Sequence, residues 1–290
     1  MVYELHPDAF GRAAPLFDPA WFDRAFIDAV FEGGQVGRLF VDRPERPTAA
    51  LLARSYEYYV AGDSGPSRLR RFIADAPAEA GVFAELYGYV PLTTGWQAAL
   101  LADTAALETI ERRELKFHLP AVPAGALPKL PADIAIVPMD RALAERADAD
   151  LGEHIGTFWG GYERFLAGGF GFCAMDGAAI AGAAYAAGAS RRFANISIVT
   201  VSSYRRRGLA TLLAAAFIRR CLERALIPTW DADRDNEASA AIALQLGLRE
   251  YPGFVQLSPP YGSKLALSQG RWEKDPAADP GVLAGWRPHA

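Results

Sequence analysis

Only two cysteines, Cys173 and Cys221, occur among the 290 residues, and both fall in apolar runs. With just four histidines the chain shows no ligand-spaced cluster, so neither a disulfide framework nor a structural zinc site is expected and no metal is assigned. No uncharged stretch reaches the roughly 18–20 residues of a membrane span. The longest small-residue run, "DGAAIAGAAYAAGAS", reads as a strand with its turns. The opening "MVYELHPDAFGRAAPLF" lacks a basic region followed by an apolar one, so a cytoplasmic chain without membrane contact is expected. An excess of either charge is also missing. Thirty Lys and Arg face 34 Asp and Glu, a net charge of -4, which argues against nucleic acid as a partner.

What is present is a chain long enough for two domains, with 51% hydrophobic residues. A proline-rich stretch, Leu119 to Asp133, carries Pro120, Pro123, Pro128 and Pro131 and cannot hold a helix. The expected division is an N-terminal α+β domain over 1–125, a linker over 126–133, a main domain over 134–262 and a tail over 263–290. In the N-terminal part, "GRLFVD" and "TAALLARSYEYYVAGD" predict a hairpin-like pair, and "PSRLRRFIADA" a helix. In the C-terminal part, "FGFCAMDG" and "AIAGAAYAAGA" predict a hairpin turning at Asp176-Gly177. A strand "NISIVTVSS", a long helix, a strand "IPTWDAD", a helix "NEASAAIALQLG" and a final strand follow. This order predicts an α/β (α+β) fold, a mixed sheet flanked by helices. The N-terminal domain is either a degenerate copy of it or an unrelated accessory domain.

The segment "SYRRRGLATLLAAAFIRR" places Arg205, Arg206 and Arg207 at the start of a helix, where cations oppose the macrodipole. An anion would relieve that conflict. Gly208 permits a close backbone approach, Ala210 keeps the first turn thin, and a strand–loop–helix passage lines up N–H groups as an anion cradle. A solvated turn is the plain alternative.

Here "RRRGLA" resembles the R/Q-x-x-G-x-G/A signature of the GNAT superfamily of acyl-CoA-dependent acyltransferases. "NEASAAIALQLGL" is similar to that family's second motif, and the two stand in the family's order with a strand between them. The resemblance covers roughly 130–258 and is closest to a bacterial subgroup with an extra N-terminal domain. It implies an N-acetyltransferase acting by direct transfer in a ternary complex, with acetyl-CoA as cosubstrate. The acceptor would be an amine of a small molecule or peptide, and a homodimer stays open. It also implies that Arg205, Arg206, Arg207, Gly208, Leu209, Ala210 and Thr211 hold the pyrophosphate. Backbone groups at Val199, Thr200 and Val201 would bind the pantetheine arm. Asn236 either caps the following helix or reaches the ligand, and Ser239 is a candidate hydroxyl on that helix.

Two departures stand out. Many relatives carry a Tyr where this chain has Ala243 and a Glu where it has Asn195, neither of which can move a proton here. A non-catalytic acyl-CoA-binding module is therefore the rival reading. Asp231, beside Trp230 on an apolar strand, is the leading candidate base, with Asp233 and Asp235 near it. Glu153, His154, Tyr162 and Glu163 lie where the acceptor pocket is usually walled, and Tyr251 and Tyr261 are further candidates.

Overall fold

The computed structural model describes residues 2–18, 22–54, 57–80, 87–91, 95–103 and 107–258; the expected tail 263–290 and Tyr261 lie outside them. Strand β1 (Tyr3–Leu5), helices α1 (Ala14–Phe17) and α2 (Arg24–Phe31), and strands β2 (Arg38–Val41), β3 (Ala49–Arg54) and β4 (Glu57–Gly62) come first. Helix α3 (Ser67–Ala80), β5 (Tyr87–Pro91), α4 (Trp96–Asp103) and β6 (Glu108–Phe117) follow. After the proline-rich segment come β7 (Ile134–Pro138), α5 (Arg141–Leu151), α6 (Ile155–Trp159), α7 (Tyr162–Gly168), β8 (Gly171–Asp176) and β9 (Ala179–Ala189). The series closes with β10 (Phe193–Thr200), α8 (Leu209–Glu223), β11 (Ile227–Asp233), α9 (Glu237–Gln245) and β12 (Leu248–Ser258). The first 31 residues thus form a strand and short helical pieces. Pro7, Pro15 and a left-handed Asp23 (φ 48°) interrupt this stretch.

The described residues fall into two compact units, those within 2–18, 37–111 and 253–258 in one, and those within 22–36 and 112–252 in the other. This grouping departs from a boundary at the proline-rich segment, and strand pairing gives the reason. Residues 112–116 of β6 pair with β11, so that strand belongs with the second unit although it precedes the prolines. Conversely, residues 254–257 of β12 pair with β5 and join the first. Each unit is completed by a strand from the other half of the chain.

The first unit runs β1-β2-β3-β4-β5-β12 and the second β6-β11-β10-β9-β8-β7. Both contain the same motif. Three antiparallel strands lead into a helix and then a strand parallel to the third: β2-β3-β4-α3-β5 in one, β8-β9-β10-α8-β11 in the other. The N-terminal part is therefore an internal copy of the C-terminal architecture. In the second unit, Leu213, Ala214, Phe217 and Ile218 of α8 are buried, and Gly182 keeps β9 thin where Leu213 presses on it. Trp159, Phe165 and Tyr185 pack edge-to-face elsewhere in that unit. This answers the small residues of β9. They leave room for a close-packed helix.

The first copy has closed its own equivalent of the arginine turn. Between β4 and α3 the chain reads "DSGP" with no arginine, and the Asp63 carboxylate accepts the Gly65 N–H at 2.8 Å. Parallel pairing of β4 with β5 ends at Tyr59–Tyr89 among the described residues. Past it, the fully buried Trp96 donates its indole N–H to the Gly62 carbonyl at 3.0 Å. The indole thus satisfies a backbone acceptor at the end of β4. Trp96→Ala is expected to cost about 3–5 kcal/mol in urea unfolding, and Trp96→Phe roughly 1–2 kcal/mol through the lost hydrogen bond; equal losses in both would show that the bond contributes more than the ring.

Candidate active site

The second unit leaves the same place open. Strand β10 pairs with β11 only at Phe193–Ile227, Ala194–Pro228 and Asn195–Thr229. Beyond these, β10 stays with β9 to Thr200 and β11 with β6 to Asp233, so the two parallel strands part. A bulge in the β9–β10 ladder between Asn195 and Ile196 bends the strand at that point. Exposure follows the geometry: 193–196 are buried, 197–200 half-buried. Val201 donates its N–H to Ala181 O at 3.0 Å, and the Val199 carbonyl points toward Gly182 of β9. Antiparallel alternation then puts the N–H and C=O of Ile198 and Thr200 on the free edge. The Val199 carbonyl and the Val201 N–H are thus turned to β9, and the Val201 carbonyl accepts the Tyr204 N–H at 2.9 Å. The Thr200 hydroxyl is buried without a hydrogen-bond partner.

At the end of β10, Arg206 (φ 63°) and Gly208 (φ 77°) are both left-handed, folding the turn into a concavity of backbone amides. The first intrahelical bond of α8 joins Leu212 N–H to Gly208 O, which leaves the amides of Leu209, Ala210 and Thr211 at the open helix end. Leu209 and Thr211 are buried and fix the direction of that end. The three arginines divide their tasks. Arg207 holds Asp133 at 2.7 Å and lies over the Tyr204 ring, so it braces the turn. Arg205 reaches the Thr200 carbonyl at 3.4 Å, and exposed Arg206 makes no hydrogen bond or ion pair among the described residues. Gly208 has a second role, since a Cβ there would stand 2.6 Å from Pro128 Cγ.

On the second-motif helix, Asn236 accepts the Ser239 N–H at 3.1 Å and caps α9, while the Ser239 hydroxyl receives the Trp230 indole N–H at 2.9 Å. Both side chains are engaged within the fold. Ala243 is fully buried in the same helix.

Asp231 is not the isolated acid that its apolar strand suggested. Asn195 Nδ2 donates to it at 3.1 Å, and Arg112 holds it together with Asp233. Directly across the ladder lies Glu114, fully buried, with neither carboxylate oxygen hydrogen-bonded. Burial pushes its carboxyl up to about 8; Asp231 adds to this, while Lys116, 3.6 Å away, pulls it down. Sequence reading passed over Glu114. Its signal was the alternation Arg112, Glu114, Lys116, which puts three charges on one face of a strand.

A different carboxylate stands at the parted strands. Helix α5 ends at left-handed Gly152, and the Asp148 side chain accepts the Ile155 and Gly156 amides at 2.7 and 2.9 Å, which fixes the start of α6. Glu153, held between these two constraints, receives the Tyr185 hydroxyl at 2.8 Å and the Ser197 hydroxyl at 3.2 Å, both on Oε2. Ser197 is the second residue past the last β10–β11 pair. Burial raises the Glu153 carboxyl above the usual carboxylate range, against the lowering effect of its two hydrogen bonds. It remains half-buried, so it can be reached. Of its sequence neighbours, Tyr162 donates to Asp148, and Glu163 pairs with Arg141.

A family model described as GNAT acetyltransferase matches residues 14–254. An uncharacterized N-acetyltransferase of Bacillus subtilis, YdfB, is 23% identical over 253 residues, covering 86% of this chain and 95% of its own. A GCN5-related N-acetyltransferase-like protein of Streptococcus suis superposes with a TM-score of 0.70 at 21% identity, over 87% of this chain and 98% of that one. A tandem GNAT protein from the clavulanic acid biosynthesis pathway reaches 0.55 at 18% identity, over 89% and 97%.

The raised Glu114 carboxyl binds a proton in the folded chain between its ordinary value and about 8, a range in which the unfolded chain has released it. Stability should therefore fall as pH rises across that window. Thermal melts from pH 5 to 8 should show this decline in the wild type and a flatter profile with a higher Tm at pH 8 in Glu114→Gln. A steeper decline in the variant would refute the assignment.

Proposed function

Since this chain belongs to the GNAT acetyltransferase family and is an acyltransferase, we propose that it transfers an acetyl group from acetyl-CoA directly to an amine of a small molecule or peptide, with Glu153 accepting the amine proton. The observation that carries this reading is the half-buried Glu153, held by Tyr185 and Ser197 beside a strand edge that has lost its partner. The N–H and C=O of Ile198 and the N–H of Thr200, turned away from β9, suit the amide-rich pantetheine arm, which would continue the sheet as a strand does. The amides from Arg206 to Thr211, with the Arg206 charge, suit the pyrophosphate.

In this scheme the amine nitrogen attacks the thioester carbonyl carbon, its proton passes to Glu153, and the carbon–sulfur bond breaks to release the thiolate. Hydrogen bonds from Tyr185 and Ser197 occupy one carboxylate oxygen and leave the other to take the proton. Its raised affinity for protons brings the carboxylate closer to an amine's needs, as a general base requires. Asp231 keeps a supporting role through Asn195.

Glu153→Gln is expected to lower kcat by about a hundredfold or more with the KM for acetyl-CoA little changed. Because the base must be ionised, wild-type kcat should drop as pH falls through the raised Glu153 value, and that acidic limb should vanish in the variant. A near-normal rate in Glu153→Gln would end the assignment. For the cradle, Arg206→Ala should weaken CoA binding by roughly 1–2 kcal/mol in calorimetry. Ala210→Glu, which puts negative charge at the helix end without disturbing the Gly208–Pro128 contact, should weaken it further. Unchanged affinity in both would move the phosphate site elsewhere.

A further inference from the structure

At the ends of β10 and β11 where the strands still pair lies a cavity of about 530 Å³, within the usual range of small-molecule sites. The last turn of α8, the connection to β11 and the end of β6 complete it through Leu222, Leu226 and Lys116. Its lining includes Lys116, His118 and Arg192 but no Asp or Glu, a local reversal in a chain of net charge -4. Two of the cations lie over aromatic rings. Lys116 Nζ stands 5.0 Å from the Tyr251 ring centroid, and the Arg192 guanidinium 5.2 Å from that of Phe193. Arg192 has no ion pair among the described residues and is exposed. The remaining walls are aliphatic, with Leu222, Leu226 and Ile227 among them.

We propose that this cavity is a second ligand site, distinct from the acyl-transfer site, for a small organic anion: a carboxylate carried on a flat apolar body. The carboxylate pairs with Arg192 and Lys116, where two cations and no acid line the wall. The apolar body lies against Phe193, Tyr251 and the leucines, which an inorganic anion would leave exposed. Buried Glu114 sits behind Lys116 at 3.6 Å, so the ammonium is held in place before any ligand arrives. Selectivity for carboxylate over a neutral analogue follows from the charge, and preference for a planar group from the two rings.

The test is calorimetry on the full chain with 1-naphthaleneacetate, using 1-naphthaleneethanol as the uncharged counterpart. Expected results are saturable one-to-one binding of the acid, at least tenfold weaker binding of the alcohol, and no displacement of the acid by saturating CoA. Arg192→Glu should weaken the acid at least tenfold, whereas Arg219→Glu, exposed on α8 and outside the lining, should not. Thermal melts check that both variants fold. Absence of saturable binding, equal affinity for acid and alcohol, displacement by CoA, or wild-type affinity in Arg192→Glu would each overturn the proposal.

Discussion

The parting of two parallel strands after three paired residues is the constraint on which the candidate site depends. A strand edge without a partner leaves amides and carbonyls that need satisfaction, and in a folded interior such groups are rarely left alone. Strand β10 is held open because β9 keeps it on one side while β6 keeps β11 on the other. The bulge after Asn195 supplies the bend. At the vertex, Asn195 bridges to Asp231 across the gap, and Arg112 anchors Asp231 from the far strand. This clamp suits an amide at position 195. A second acid facing Asp231 would add repulsion beside buried Glu114, whereas an amide donates a hydrogen bond.

Carboxylates in the second unit are sorted by what surrounds them. Asp231 is tied into an ion pair, Glu114 is sealed beneath it, and Asp148 serves as a helix cap. Glu153 combines a raised proton affinity with access, because it hangs from a short connection between two helices instead of lying in the ladder. A proton acceptor needs both properties, and burial alone supplies only the first.

How much of this could be read beforehand divides along physical lines. Local signals were legible: the helix after the arginine turn, the Asp176-Gly177 hairpin and the second-motif helix all follow from turn chemistry and periodicity. Backbone parity was not, because whether Val199 or Ile198 faces the open edge depends on the register with β9 and not on residue type. The surroundings of Asp231 were hidden for a similar reason, since its partner Arg112 is 119 residues away in sequence. Glu153 was visible only as one acid among four candidates in a helical region, for its distinction lies in contacts from β9 and β10. The domain boundary was drawn at the prolines because composition marks irregular chain, whereas strand pairing decides which residues form a unit.

The two copies of the motif test the constraint against itself. Among the described residues both show three parallel pairs and then none, so both leave an edge to be satisfied. The first copy closes it from within: Asp63 takes an amide of the turn, and Trp96 fills the space and bonds the Gly62 carbonyl. The second copy has Arg206 exposed, small Ala210 at its helix start and a half-buried strand. A carboxylate in the turn of the first unit would repel a phosphate as surely as the arginine of the second would attract one. The same backbone is thus a closed core where its own side chains satisfy it, and keeps an open strand edge only where they are withheld.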